Sequence, residues 1–401
     1  MKKILLLTAL LFLKSMDIGA QAFCSGAACS SLPISESSLN SLLFGTKFQY
    51  TDKLANEMAR ATEAGNLLGL PTGAVSLEKS FTLGTSMGLG YEEKHNTVIV
   101  TEFGSFTGID SGGVSVSPKF FMGMNLGRAL NTIKREEKKF NSSSDDPLSL
   151  NRFDVYLYYF NRSFSTGAQP KPSLGNSLVY NENVLLENPN ADPSTAVSID
   201  LLKGLKFKDQ NKFSMRTNGI FTRYRLLDSD LFTIHRFVRF LGVSLGMGYY
   251  ESKTKLNIIQ ASTDINIRLA AGSQMTWNSF GLANYYVFIQ SFPVEVSSGF
   301  KLFNYINATL GVGGTYNRGK LDMSYLRYGN AYLNDGNVFA LLGSTSNSYL
   351  GLQLRSESSI RKFSMYLKPG IEFDIPYFKL GFEGIITQEA EGLNFWLRTE
   401  F

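Results

Sequence analysis

The chain closes on Gly392-Leu393-Asn394-Phe395-Trp396-Leu397-Arg398-Thr399-Glu400-Phe401. Counted back from the end, Phe401, Thr399, Leu397, Phe395 and Leu393 fall on one face. Glu400, Arg398, Trp396 and Asn394 fall on the other. Strict period-two alternation is the pattern of a strand with one apolar and one polar side. A soluble sheet gains little from an exposed terminal Phe. A strand that faces lipid on one side and water on the other does gain.

The opposite end of the sequence agrees with export. Met1 to Lys3 is a short basic start, residues 4–13 are apolar but for Thr8, and Ala20-Gln21-Ala22 is a small-x-small cleavage site. Residues 1–22 therefore read as a signal peptide, because the apolar run falls short of the roughly 20 residues of a membrane-spanning helix. Loss of Lys2, Lys3, Lys14 and Asp17 with that segment takes the net charge from +5 to +3. The remaining charge is spread along the chain, which argues against a nucleic-acid partner. The chain is 43% hydrophobic and 13% aromatic but only 18% charged, yet no 18-residue apolar run follows residue 22. Alternating strands with one lipid face reconcile those facts, since the polar half of each strand dilutes its apolar half. Cys24 and Cys29 are the only cysteines. A disulfide between them is expected in an oxidising periplasm, with lipidation of Cys24 as the alternative, and no thiol metal site is possible.

The closing decapeptide resembles the C-terminal assembly signal of bacterial outer-membrane β-barrel proteins. Leu393, Phe395, Leu397 and Phe401 match, while Thr399 stands where such signals often carry Tyr. The resemblance implies an outer-membrane location with loops at the cell surface. It also implies lipid as surroundings and the barrel-assembly machinery as a partner of the last strand. The expected fold is all-β, an antiparallel up-and-down transmembrane barrel of about 12 strands, with 10 or 14 as alternatives.

Along the chain, residues 30–48 read as a polar loop and residues 51–68 as the one clear helix. Thr51 or Asp52 is placed to cap it, Leu54, Met58, Ala61 and Leu68 line one face, and Gly69 and Pro71 end it. The helix belongs to an N-terminal periplasmic segment, residues 23–76, ahead of a barrel over residues 77–401. It is expected in the barrel mouth as a plug, with the periplasmic rim as the alternative. Residues 77–91 and 97–106 read as a hairpin about Glu93-Lys94-His95-Asn96, and residues 114–127 as the next strand. Residues 128–147 read as a charged excursion, 153–161 as a strand, 165–193 as a long Asn-, Pro- and Ser-rich loop, and 198–208 and 213–227 as strands. Counting from 114–127 puts the loop 165–193 on the periplasmic side, where loops are usually short, so the count there is open by one. Residues 240–246 and 309–314 share a Gly-rich pattern and read as strands rising from short periplasmic turns. Residues 321–359 read as one long outer loop or as a loop with a hairpin.

The closing meander is the clearest part. Phe363, Met365, Leu367, Ile371 and Phe373 alternate with Tyr366, Lys368, Glu372 and Asp374, and Phe378, Leu380 and Phe382 with Lys379 and Glu383. A charge on the lipid side near the midplane costs about 2 to 4 kcal/mol. Lys368, Glu372, Asp374, Lys379, Glu383, Arg398 and Glu400 are therefore expected to line the lumen. Their alternating sign suits either a water-filled path or mutual compensation.

Nothing points to catalysis. The two histidines, His95 and His235, are placed at opposite barrel ends, and neither has a neighbouring Ser and acid to form a nucleophile-base pair. No enzyme, cofactor or metal site is expected. The layout as a whole (early cysteines, one helix, a Gly-rich meander, a terminal Phe) resembles leptospiral surface adhesin barrels. That resemblance implies a surface-exposed protein that binds host matrix or plasma proteins through its outer loops, among them 128–147 and 321–359. The alternative is a porin-like or plugged channel for passive uptake of small or hydrophobic solutes.

Overall fold

Lipid offers no hydrogen bonds, so a spanning sheet must pair all of its strands in a closed ring. The computed structural model describes residues 20–25, 36–68, 77–101, 104–134, 149–165, 212–227, 233–235, 237–268, 274–333 and 348–401. Among the described residues thirteen strands join one sheet. They are β1 (Ala20–Ser25), β2 (Phe81–Thr101), β3 (Gly104–Asn125), β4 (Phe153–Ser165), β5 (Lys212–Leu227), β6 (Thr233–His235), β7 (Val238–Arg268), β8 (Gln274–Leu302), β9 (Ile306–Leu333), β10 (Ser348–Ser359), β11 (Phe363–Ile375), β12 (Phe378–Thr387) and β13 (Glu391–Glu400). Three α-helices accompany them: α1 (Glu36–Thr46), α2 (Asp52–Leu67) and α3 (Leu126–Lys134).

The pairing runs β9-β11-β12-β13-β2-β3-β4-β5-β7-β8 and returns to β9, antiparallel throughout. That circuit has ten strand positions, inside the expected span of 10 to 14. β10 and β11 share one position, lying end to end along β9 at residues 320–331 and 306–316. β1 pairs with the other edge of β10, above the short β12. The seam between the last strand and β2 closes with two reciprocal bonds, Phe81 N to Phe401 O at 2.9 Å and Phe401 N to Phe81 O at 3.0 Å. The two rings stack at 6.0 Å.

The outer face carries an apolar band between two aromatic girdles. At the end holding Phe401, the exposed rings are Phe237, Phe303, Tyr305 and Tyr377. At the other edge Tyr249, Phe292, Tyr316 and Phe363 touch in a row across four neighbouring strands, at 5.0, 6.3 and 4.9 Å. From Phe363 to Phe373, β11 runs about 33 Å at a rise of about 3.3 Å per residue. At a tilt of about 40° it spans about 25 Å, the height of an outer-membrane apolar band. The protein is an outer-membrane barrel with loops at the cell surface. The Phe401 end carries the short turns, residues 303–305 and the Pro376-Tyr377 turn, in which Pro holds the first corner and Tyr377 takes φ 81° at the second. β7, β8 and β9 run well past the upper girdle, toward the outside.

Several expectations shift. The hairpin about residues 93–96 is instead one strand, β2, which runs through to Thr101, with a register shift between Glu92 and His95. Above the lipid the outer face meets water and the inner face meets polar side chains of α2, such as Arg60 on Glu92, so a polar run continues the strand without penalty and turn-like residues do not mark a turn. β3, which a hairpin about residues 93–96 would have rising through residues 114–127, therefore descends. The connection between Ser165 of β4 and Lys212 of β5 leaves at the outer end, which removes the anomaly of a long periplasmic loop. Residues 128–147 start instead from the periplasmic end, where α3 begins directly after β3. Residues 321–359 are not one loop: β9 continues to Leu333 and β10 begins at Ser348. Residues 36–46, read as loop, form α1. Residues 1–19 of the expected signal peptide 1–22, Cys29, and residues 166–193 and 198–208 lie outside the described residues. Ala20-Gln21-Ala22 and Cys24 lie in β1.

Glycines on the inner face make room for large rings on the neighbouring strand. A Cβ on Gly381 would lie 2.1 Å from the Trp396 indole. Gly381→Ala is therefore expected to cost about 1 to 3 kcal/mol through overpacking. Urea unfolding of the barrel in lipid vesicles measures it, and an unchanged midpoint would show that the indole relocates freely.

Candidate functional site in the barrel lumen

With the apolar residues committed to lipid, alternate positions must point inward. On β11 Phe363, Met365, Leu367, Ile371 and Phe373 are exposed, while Ser364, Tyr366, Lys368 and Glu372 are buried. The lower lumen gathers these charges into pairs. Glu372 accepts from Arg398 Nε at 2.9 Å and Nη2 at 2.8 Å, from Trp396 Nε1 at 3.1 Å and from Asn307 at 3.0 Å. Arg398 also meets Glu400 at 3.1 Å. Lys368 lies 2.7 Å from Glu295 and 3.4 Å from Glu383, and Glu295 faces Arg223 at 3.6 Å. Nearer the periplasm, Lys379 and Lys301 share Glu78 at 2.8 and 3.1 Å, and Lys301 holds Asp374 at 2.6 Å. The seven residues singled out in the sequence thus fall into two clusters of alternating sign: Lys368 and Glu383 lie with Glu295 and Arg223, and the other five join through Lys379, which lies 3.5 Å from Glu400 and 3.7 Å from Asp374. Trp396, Tyr156, Tyr250, Phe121 and Phe221, all fully buried, fill the space beside them.

Sequence reading missed Glu78, Arg223, Glu295 and Lys301. Glu295 was within reach of parity, because its neighbours Val294 and Val296 are both exposed. Glu78 had no such signal. It precedes β2, and its place depends on where the chain passes between Lys301 and Lys379.

Above these clusters α2 stands inside the barrel. Its last turns are buried on every side, from Ala61 through Leu67. Polar contacts fix it to opposite walls: Glu57 accepts from Ser111 of β3 at 2.9 Å, and Arg60 donates to Glu92 of β2 at 2.8 Å. Asn66 donates to Ser291 of β8 at 2.9 Å, and Glu63 accepts from Asn317 of β9 at 3.0 Å. Ser356 and Ser358 of β10 donate to Asp52 and Asn56. Two glycines let helix and wall meet, since a Cβ on Gly90 would lie 1.9 Å from Ala61 O and one on Gly113 2.2 Å from Glu57 O. The lower end of the helix rests on Lys119, whose Nζ donates to Asn66 O at 2.6 Å and to Leu68 O. A cation at a helix C-terminus also opposes the negative end of the helix dipole. The expected cap at Thr51 or Asp52 is not used. A π-helical turn, Lys47–Thr51, continues from α1 straight into α2, so the first amides of α2 meet carbonyls of the preceding turn, and Thr51 Oγ1 donates to Lys47 O at 3.0 Å.

The histidines stay apart. His95, on the outer half of β2, has Nδ1 2.9 Å from Glu93 O and 3.6 Å from Glu57 Oε1, while His235 ends β6 at the periplasmic end.

A family model described as Lsa36-like matches residues 17–184 and 193–401. The chain belongs to the Lsa36-like family. This agrees with its resemblance to leptospiral surface adhesin barrels. A comparison with curated protein sequences finds no match. Among solved structures, the toluene transporter TodX of P. putida aligns at 7% identity and TM-score 0.21, over 86% of this chain and 98% of that one. A FadL homologue of Pseudomonas aeruginosa aligns at 9% and 0.23, over 86% and 97%. The transport unit of the Escherichia coli autotransporter AIDA-I aligns at 8% and 0.24, over 89% and 98%. The architecture of this Lsa36-like barrel rests on its own strand pairing.

Two outcomes follow from the lower clusters. Arg398→Met strands Glu372 in a closed interior and is expected to cost about 3 to 5 kcal/mol. Urea titration of vesicle-embedded barrels tests this, and a loss below about 1 kcal/mol would mean that water already screens the pair. Glu78 lies outside the spanning strands. Partial burial alone would raise its carboxyl, but Lys379 and Lys301 outweigh that and hold it near 2, below its ordinary 4.5. A depressed carboxylate stabilises the folded state above its unfolded pKa and ceases to do so as pH falls through the folded one. The stability gap between the native chain and Glu78→Gln should therefore be constant above about pH 4.5 and shrink toward pH 2. A gap independent of pH across that window would refute the assignment.

Proposed function

We propose that this protein is an adhesin-like binding barrel that engages host extracellular-matrix or plasma proteins through the connections at its outer end. The observation that carries this reading is the occupied lumen. α2 packs against β2, β3, β8, β9, β10, β12 and β13, and the charges beneath it compensate one another rather than line an open path. The working surface is then the outer rim, where the connection between Ser165 and Lys212 emerges. Membership in the Lsa36-like family supports the same reading. The alternative, a porin-like or plugged channel for small or hydrophobic solutes, requires α2 to leave its seat.

Single-channel recording and a binding assay separate the two. The refolded barrel should be silent in a planar bilayer, and deletion of residues 51–68 should produce unitary steps. Replacing residues 166–211 with a short Gly-Ser linker should lower binding to immobilised matrix and plasma proteins by at least about tenfold. Steady unitary conductance from the intact chain, together with binding indifferent to that replacement, would favour the channel.

A further inference from the structure

Above the upper girdle, the first turn of α2 and the inner faces of β7, β8, β9 and β10 leave a cavity of about 310 Å3. Its wall is made chiefly by Leu54, Leu256, Ile258, Ala283, Met323 and Leu354. The polar side chains at its edge are already engaged with other groups. Thr51 Oγ1 donates to Lys47 O at 3.0 Å, Ser356 Oγ to Asp52, Asn284 Nδ2 to Ser324 Oγ at 3.3 Å, and Tyr325 OH to Gln260 at 3.4 Å. Tyr285 OH lies 3.5 Å from Thr62 Oγ1.

We infer that this cavity is a binding site for an uncharged apolar small molecule of about ten carbon atoms. The size follows from volume: a dry cavity of about 150 Å3 takes one benzene, so one twice as large suits a fused bicyclic hydrocarbon or an equivalent short chain. The class follows from the lining. A charged or strongly polar guest would be desolvated against a wall whose polar atoms are taken, and nothing there would replace its lost hydrogen bonds. Water is a poor occupant for the same reason. The position adds a consequence, because the occupant touches Leu54 on the first turn of the lumen helix and Thr51 at the end of the π-helical turn that leads into it. Binding therefore favours the seated position of α2, and the site is distinct from the outer connections.

The full chain in lipid nanodiscs is photolabelled with a naphthyl diazirine and the labelled peptides are mapped by mass spectrometry. The expected result is saturable labelling of the peptides containing Leu54 and Met323. Excess naphthalene should reduce it at least about tenfold, and 2-naphthoate should not. Leu54→Trp and Ile258→Trp each fill the cavity from a different wall, and either one that keeps the barrel heat-modifiable should lose the label to the same extent. Labelling confined to lipid-facing positions such as Phe292 and Val294 would overturn the inference. So would cavity labelling that persists in both folded Trp variants, or equal competition by the carboxylate.

Discussion

Everything in this molecule depends on closure of the backbone ring in a medium that cannot hydrogen-bond. The last strand pairs with β2 from Glu400 opposite Thr82 to Glu391 opposite Tyr91, and the two Phe81–Phe401 bonds finish the seam. An unpaired edge in lipid would leave a row of amides and carbonyls without partners, each costing several kcal/mol. Closure in turn fixes two faces. The apolar side chains take the lipid, and the remaining positions must be accommodated inside.

A ring of this size encloses more room than its own side chains comfortably fill, and the two halves of the lumen solve this differently. The lower half uses large rings over glycine and clusters of paired charges, in which Glu372 accepts from Arg398, Trp396 and Asn307, and Arg398 lies 3.1 Å from Glu400. The upper half uses chain from outside the ring. α2 fits because Gly90 and Gly113 let its backbone lie against the wall and because its polar side chains meet inward Ser, Asn and Glu partners on at least five strands. A buried helix with this many directed contacts has one seat, whereas a purely apolar helix could slide or rotate. Lys119 fixes its depth.

The legibility of the chain followed the lipid. Between the girdles, lipid lies on one side and the polar interior on the other, so alternation is enforced and Phe363 to Phe401 could be read residue by residue. Beyond the upper girdle the constraint lapses. There the polar run at residues 92–97 continues a strand while resembling a turn, and the second half of β9 resembles a loop. Helices suffered in a related way. α1 carries little amphipathic signal because it packs only partly, on Ala20, Ala22, Leu352 and Leu354 through Leu43. α3 shows Leu126, Ala129, Leu130 and Ile133 at helical spacing, yet the charges after it masked the pattern.

The sequence by itself determined that this chain is a barrel, which residues face lipid, and hence which seven charges of the closing meander turn inward. Local alternation and the cost of burying charge in hydrocarbon are enough for that, because both act on one strand at a time. Which charge meets which was decided only by tertiary structure. Glu295 reaches Lys368 and Arg223, and Glu78 reaches Lys301 and Lys379, through ring closure and strand register that no local pattern encodes. The place of α2 was decided in the same way. An amphipathic helix is equally compatible with a rim or a lumen, and the seat exists only where distant glycines, serines and Lys119 converge on one axis.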